Sequence, residues 1–350
     1  MNLSKNNSIP LFRIIMTYII AAFHFHNSYP YIDKIGLRIG WYIPVEFFFI
    51  VSGFLLYETA NSGKYKDVKA YVISRYKRIY PGYIISFVLV FLSMVILKRR
   101  EETPLRLLWG ALPEIFGLQI LKPNRGWFDI NPTLWFISAL FIDGAILHFI
   151  ITKFNKVYVR YIGPAVTLII YAVLFFRFGH LDVVVDMDGL INYPLLRGFA
   201  GMTLGIYSNL LYHAMERSGR KVLYGRVMLV LMLILSVGTL YKGRDYWDYI
   251  FTLLFVFGVA GCFTETKNPV LTSRAVKILD SLSLYIYLIH ELFRSYVFPT
   301  VFGLTEDLDK KLILLPLYLI SVTAGAFILK LLSELLLKSL EKLFGRGEKR

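Results

Sequence analysis

Apolar runs of about 18–22 residues recur along the whole chain, each as long as a helix must be to cross roughly 30 Å of hydrocarbon. In lipid, every backbone amide must find its partner inside the segment, so a chain built of such runs folds as a bundle of transmembrane helices. The expected fold class is therefore all-α, a polytopic membrane protein with about ten spans. They are read at residues 10–28, 41–60, 79–97, 134–152, 161–178, 190–210, 227–241, 247–264, 278–297 and 311–333. Composition agrees: 56% of the 350 residues are hydrophobic and 18% charged, and the mean hydropathy is +0.57. The first run reads as an uncleaved span, because it is long and aromatic, carries Arg13 and His24, and lacks a small-x-small cleavage site.

Charge sets the orientation. The connections after spans 2, 4, 6 and 8, together with the C-terminal stretch, carry 21 Lys and Arg, whereas the opposite connections carry about 12. By the positive-inside bias both termini are expected in the cytoplasm. The stretch LRLLWGALPEIFGLQI (105–120) threatens this count, but it is short for a span and is broken by Pro113 and Glu114. An outer interfacial or re-entrant helix is expected there. The net charge of +15 has no soluble basic domain to carry it, so no nucleic-acid partner is inferred and the bilayer itself is the partner. Cys262 is the single cysteine, which excludes an intrachain disulfide and a cysteine-based metal cluster.

His24 lies eleven positions after Arg13 in the first span. Eleven helical steps return a side chain to within roughly 20° of its starting direction and carry it roughly 16–17 Å along the axis. A guanidinium and an imidazole would share one face near opposite membrane surfaces, and ionisable groups at such depth mark functional sites. The bland alternative is that Arg13 snorkels to a headgroup and His24 ends the span. Glu46 begins the second span at a depth comparable to His24, where it would orient the imidazole for general-base work or serve as a solvated helix-terminal charge. Arg75 and Arg78, three apart in SRYKRIYP, suit bidentate phosphate recognition if a helix begins there, and are otherwise ordinary cytoplasmic charge. His26 lies about 200° around the helix from His24 and reads as an interface residue. Arg197 and Asp143 are read as an interhelical pair, Glu291 and Arg294 as another, and Gly201 and Gly205 as a packing motif. His180, Asp182, Asp186 and Asp188 are read as a solvated outer loop.

The sequence resembles acyltransferase family 3, the integral-membrane O-acyltransferases. The resemblance rests on Arg13-x10-His24, on VEFFFIVSGFLL (45–56), on RYKRIYP (75–81) and on SLSLYIYLIH (281–290), in the family's order. It implies residues 1–335 as a ten-helix acyltransferase domain of the cytoplasmic (inner) membrane, followed by a basic cytoplasmic tail at 336–350. The implied activity is transfer of acetyl from cytoplasmic acetyl-CoA to a hydroxyl of a cell-surface glycan or its lipid-linked precursor. His24 falls at the catalytic position with Glu46 at the acidic position of the second span, and Arg13, Arg75 and Arg78 at positions associated with the acyl donor. Ser52, Trp135, Ser283, Tyr287 and His290 match motif positions that support the site or the substrate. The chain departs from the pattern at Leu140, where a glutamate often follows the tryptophan by five residues, and at Leu284, where an aromatic is common. No metal-ligand cluster is visible, so the reaction is expected to be metal-independent. A glycolipid or polysaccharide transporter or flippase is the alternative reading, although no inverted repeat is evident. The sequence leaves a homo-oligomer open.

Overall fold

The computed structural model describes residues 7–28, 40–122, 129–184, 186–266, 268–303 and 308–344. Among these, ten helices of 16 residues or more overlap the ten segments read as apolar runs. They are α1 (Ile9–Ser28), α2 (Pro44–Asn61), α3 (Val68–Ile96), α6 (Trp135–Val157), α7 (Gly163–Phe178), α8 (Tyr193–Arg217), α9 (Lys221–Tyr241), α10 (Tyr246–Cys262), α11 (Arg274–Leu292) and α13 (Leu308–Phe344). The short helices α4 (Pro104–Gly110), α5 (Leu112–Ile115) and α12 (Phe298–Phe302) complete the set. Five stretches are long and apolar enough to cross a membrane on those criteria alone: Ile9–His26, Val68–Ile96, Pro132–Phe178, Lys221–Tyr241 and Ile313–Lys342. A two-residue antiparallel ladder, β1 (Met187–Asp188) with β2 (Ile191–Asn192), is the one strand pairing among the described residues.

Several boundaries differ from expectation, each for a local reason. The third helix begins at Val68 rather than near residue 79, because the Asp67 carboxylate accepts the Ala70 N–H at 2.8 Å and caps it. The basic run 68–78 is therefore helix, not loop. The eighth begins at Tyr193, where Asn192 caps the Leu195 N–H at 3.1 Å and Pro194 occupies the first turn. The expected loop 153–160 is instead a bend between two helices, with non-helical φ/ψ at Phe154 and a π-helical turn over Tyr158–Ile162. The last helix continues to Phe344 with Pro316 inside it, so 336–344 extends the helix and 345–350 lie outside the described residues.

The stretch 105–120 holds the short helices α4 and α5, of 7 and 4 residues, which would span only about 10 Å and about 6 Å along their axes. Leu105 and Trp109 are exposed, whereas Glu114 is fully buried. Its carboxylate accepts from the backbone N–H of Ile130 (3.0 Å) and Asn131 (2.7 Å) and from Lys122 Nζ (2.8 Å). That clamp fastens the segment to the start of α6.

The most extensive helix pair is α2 with α8. Glycines make the approach so close: a Cβ on Gly53 would lie 1.8 Å from the Met202 carbonyl oxygen, and one on Gly205 would lie 2.2 Å from that of Ile50. A Cβ on Gly201 would meet Phe49 Cβ at 2.8 Å. The Gly201/Gly205 motif thus lets two backbones touch, the small-residue device of membrane helix pairs. Helix α1 packs on α11, α11 on α13, and α6 against α2, α3 and α8. Gly205→Val is expected to abolish accumulation of folded protein. Gly219→Ala, where a Cβ meets nothing within 4 Å, should leave the detergent-extracted protein's melting temperature unchanged. Equal melting temperatures for the two variants would refute the close-packing account.

Candidate active site

Helix α1 presents Arg13, Thr17, Ile20 and His24 at steps of four, three and four, a single stripe on a 3.6-residue helix. The stripe runs past two cavities. One, of about 390 Å³, is lined by Arg13, Thr17 and Ile20 together with Ser52, Arg75, Arg78, Asp280 and Lys330. The other, of about 210 Å³, is lined by Ile20, Phe23 and His24 with Tyr42, Thr133, Trp135, Asp182, Arg197 and Arg294. Ile20 and Val45 line both, so two β-branched side chains form the wall between them.

The Arg13 cavity is cationic. Four positive side chains (Arg13, Arg75, Arg78, Lys330) face one carboxylate, Asp280, at its wall. Arg13 Nη2 donates to Asp280 Oδ2 at 2.5 Å, and Lys330 donates to the Ser281 hydroxyl at 2.8 Å. Arg75 lies 5.4 Å from the centre of the Tyr71 ring, and among the described residues neither it nor Arg78 is in an ion pair. The rest of the lining is largely apolar, with Val51, Leu55, Phe136 and Leu140. Ser283 and Tyr287 also line it; the Ser283 hydroxyl is buried with no protein partner among the described residues, and Tyr287 donates its O–H to the Thr133 carbonyl. A cavity with unneutralised guanidiniums at one end and an apolar throat suits an anionic headgroup on a long neutral arm.

The His24 cavity is built differently from expectation. Glu46 does not reach His24. It is fully buried, accepts from Arg197 Nε at 2.5 Å and from the Tyr171 hydroxyl at 3.2 Å, and makes no hydrogen bond or ion pair with the imidazole. The reason is azimuth. On α2, Val45, Phe48 and Ser52 face the Arg13 cavity, whereas Glu46, Phe49 and Gly53, each one residue and about 100° further round, face α8. The expected Arg197–Asp143 pair is absent for the same reason. Arg197 points at α2, and Asp143 lies against Gly198, where a Cβ would come within 2.4 Å of its Oδ2. The Glu291–Arg294 pair is present at 2.7 Å.

His24 instead faces His290, with ring centres 4.9 Å apart. His290 Nδ1 lies 2.5 Å from the Tyr287 carbonyl, which can only accept, so Nδ1 carries the proton and Nε2 is the lone-pair nitrogen. His26 is buried elsewhere, its ring 6.2 Å from that of Trp41. Trp135 stacks under Arg197, whose guanidinium carbon is 5.6 Å from the indole centre. Asp182, expected on a solvated loop, lines the cavity.

The family model of the acyltransferase domain of acyltransferase family 3 matches residues 6–332, almost the whole chain. The chain belongs to this family. Acyltransferase family 3 membership, with five long apolar helical stretches, makes it a membrane acyltransferase. Among curated proteins and among solved structures nothing matches.

Sequence reasoning on this acyltransferase missed Asp280, Lys330 and the role of Arg197. Asp280 immediately precedes the SLSLYIYLIH motif, and Arg197 is a lone charge in the apolar first half of its helix; both signals were present, but neither names the partner. Removing one partner of a buried pair costs about 3–5 kcal/mol, whereas replacing both is far milder. Arg197→Ala should therefore lower thermal stability more than the Glu46→Gln/Arg197→Gln double variant does. Equal melting temperatures would show that the pair carries no such coupling.

Proposed function

We propose that the chain is an O-acetyltransferase that takes acetyl from acetyl-CoA on the cytoplasmic side and passes it to a hydroxyl of a cell-surface glycan or its lipid-linked precursor. In this reading all ten long helices cross the cytoplasmic (inner) membrane with both termini inside. The observation that carries it is the single stripe on α1 linking a cationic cavity at Arg13 to a separate cavity at His24. Along the helix the two residues are about 16–17 Å apart, a distance spanned by a phosphorylated carrier with a thioester at the end of its arm. Arg13, Arg75 and Arg78 would hold the phosphates, and the apolar throat past Ser52, Ser283 and Tyr287 would take the arm. The thioester would then pass the Ile20–Val45 wall to His24.

At His24 the acceptor oxygen attacks the thioester carbonyl carbon while the imidazole takes the hydroxyl proton. The thiolate leaves with that proton as the carbonyl re-forms. His290, its Nδ1 held at the Tyr287 carbonyl and its ring centre 4.9 Å from that of His24, would orient the His24 ring in place of Glu46. Transient acetylation of His24 is the other route open to the same residues. The acyltransferase domain supports acyl transfer over the transport alternative.

His24→Ala is expected to abolish acetyl transfer while leaving acetyl-CoA binding and folding intact, and His26→Ala should be much milder. Comparable losses from the two, or full activity in His24→Ala, would refute the assignment. Replacing Arg75 and Arg78 with Ala should mainly weaken acetyl-CoA affinity, and Arg→Lys should recover only part of it, since a lysine lacks the planar fork. Sealed vesicles of known orientation test the sidedness. Label from acetyl-CoA supplied on the cytoplasmic face should appear in glycan exposed on the other face. Transfer that occurs only when both are on the cytoplasmic face would overturn the across-membrane reading.

A further inference from the structure

Arg197 is the largest fully buried side chain among the described residues, only 1% exposed, and it lines the cavity that contains His24. Its guanidinium is held at three points. Nε donates to Glu46 Oε1 at 2.5 Å, Nη1 donates to the Val183 carbonyl at 3.2 Å, and the plane lies over the Trp135 ring. The anchor is itself braced, since the other Glu46 oxygen accepts from Tyr171. Three fixed points determine where the rest of a planar fork is directed. Yet Nη2 is buried and has no protein partner among the described residues. An unpaired buried donor costs about 1–3 kcal/mol, so a native fold that keeps one calls for an explanation. The same cavity holds Arg294, but that guanidinium is tied to Glu291 by its own Nη2 and is 18% exposed.

We propose that Arg197 is a catalytic residue whose Nη2–H binds the thioester carbonyl oxygen and holds the oxyanion formed during transfer. The inference rests on the reading of His24 as the site of acyl transfer. As the acceptor oxygen bonds to the carbonyl carbon, its proton passes to His24 and the C=O π pair moves onto oxygen. That negative oxygen takes the Nη2–H hydrogen bond. Collapse re-forms C=O, breaks C–S, and the thiolate leaves with the proton from His24, giving ester and free thiol. Arg197 neither gains nor loses a proton. The charge it stabilises is transient, which fits a cavity where Glu46 already balances its permanent charge. A donor fixed before the reaction and shielded from water is the arrangement in which such a hydrogen bond contributes most.

The test uses the full chain in lipid nanodiscs, with acetyl-CoA as donor, host membrane glycan as acceptor, and thiol release as readout. Arg197→Lys keeps a cation for Glu46 but loses the fork. It should lower kcat by about 10²–10³-fold with acetyl-CoA affinity within about twofold of wild type. If that variant does not fold, Glu46→Gln/Arg197→Gln, which removes both charges of the pair and strands neither, carries the same expectation. In Glu46→Gln/Arg197→Ala, added guanidinium ion should restore part of the lost kcat, a response that loss of packing alone would not give. A folded Arg197→Lys or double glutamine variant with kcat within about threefold of wild type would overturn the proposal. His24→Ala separates the two claims. If it is inactive while the Arg197 variants are fully active, only the oxyanion role fails; if it is active, the reading of the site fails first.

Discussion

The ion pair between Glu46 and Arg197 is the contact on which the rest of the active-site architecture hangs. It joins α2 to α8 at the place where Gly53, Gly201 and Gly205 bring the two backbones into contact. Both partners are essentially inaccessible to water, so neither can exchange its partner for solvent without a large desolvation cost. Once α2 is fixed in rotation by this pair, Val45, Phe48 and Ser52 have no choice but to face α1, and they form one wall of the larger cavity. The same pair fixes the guanidinium plane over Trp135. Close approach, rotation of α2 and the shape of both cavities thus follow from one interaction between residues 151 positions apart.

A second polar set closes the structure at the His24 end. Asp248 accepts from the Tyr42 hydroxyl at 2.8 Å and from the backbone N–H of Leu181 and Arg244, both at 2.7 Å. It gathers the start of α2, the segment after α7 and the start of α10 around the smaller cavity. The Arg13 end is held more loosely, by the partly exposed Arg13–Asp280 pair. The two ends differ in their polar fastening: a buried carboxylate with three donors beside the His24 cavity, and a partly exposed ion pair beside the cluster of cationic side chains.

Much of the fold was legible because hydrophobic periodicity reports directly on helices, and the stripe Arg13, Thr17, Ile20, His24 could be read from spacing alone. Position along a helix was also readable, since it depends only on residue spacing. Rotation was not. Glu46 was expected beside His24, but a single residue's difference of about 100° turns Glu46 to α8 rather than α1, and no property of a lone segment reveals it. Arg13 and Asp280, 267 positions apart, are a pairing of the same kind. The early start of α3 had a visible cap in Asp67, yet the lysines and arginines that follow suggested a solvated loop. Those residues are good helix formers, and the charge that marks a cytoplasmic surface carries no information against helix.

The helical state of residues 68–78 bears on how a ligand could be held. A loop carrying Arg75 and Arg78 would lose conformational freedom each time it closed on an anion, at a cost of about 1–2 kcal/mol for every residue fixed. Here the backbone under both guanidiniums is ordered before anything arrives, capped at Asp67 and joined by the Tyr65–Ser74 hydroxyl contact of 3.1 Å. Only side-chain rotamers remain to be restrained. The entropy of recognition has been moved from the binding event into the folding of the helix, which leaves the arginines preorganised and lets a ligand dissociate without melting any secondary structure.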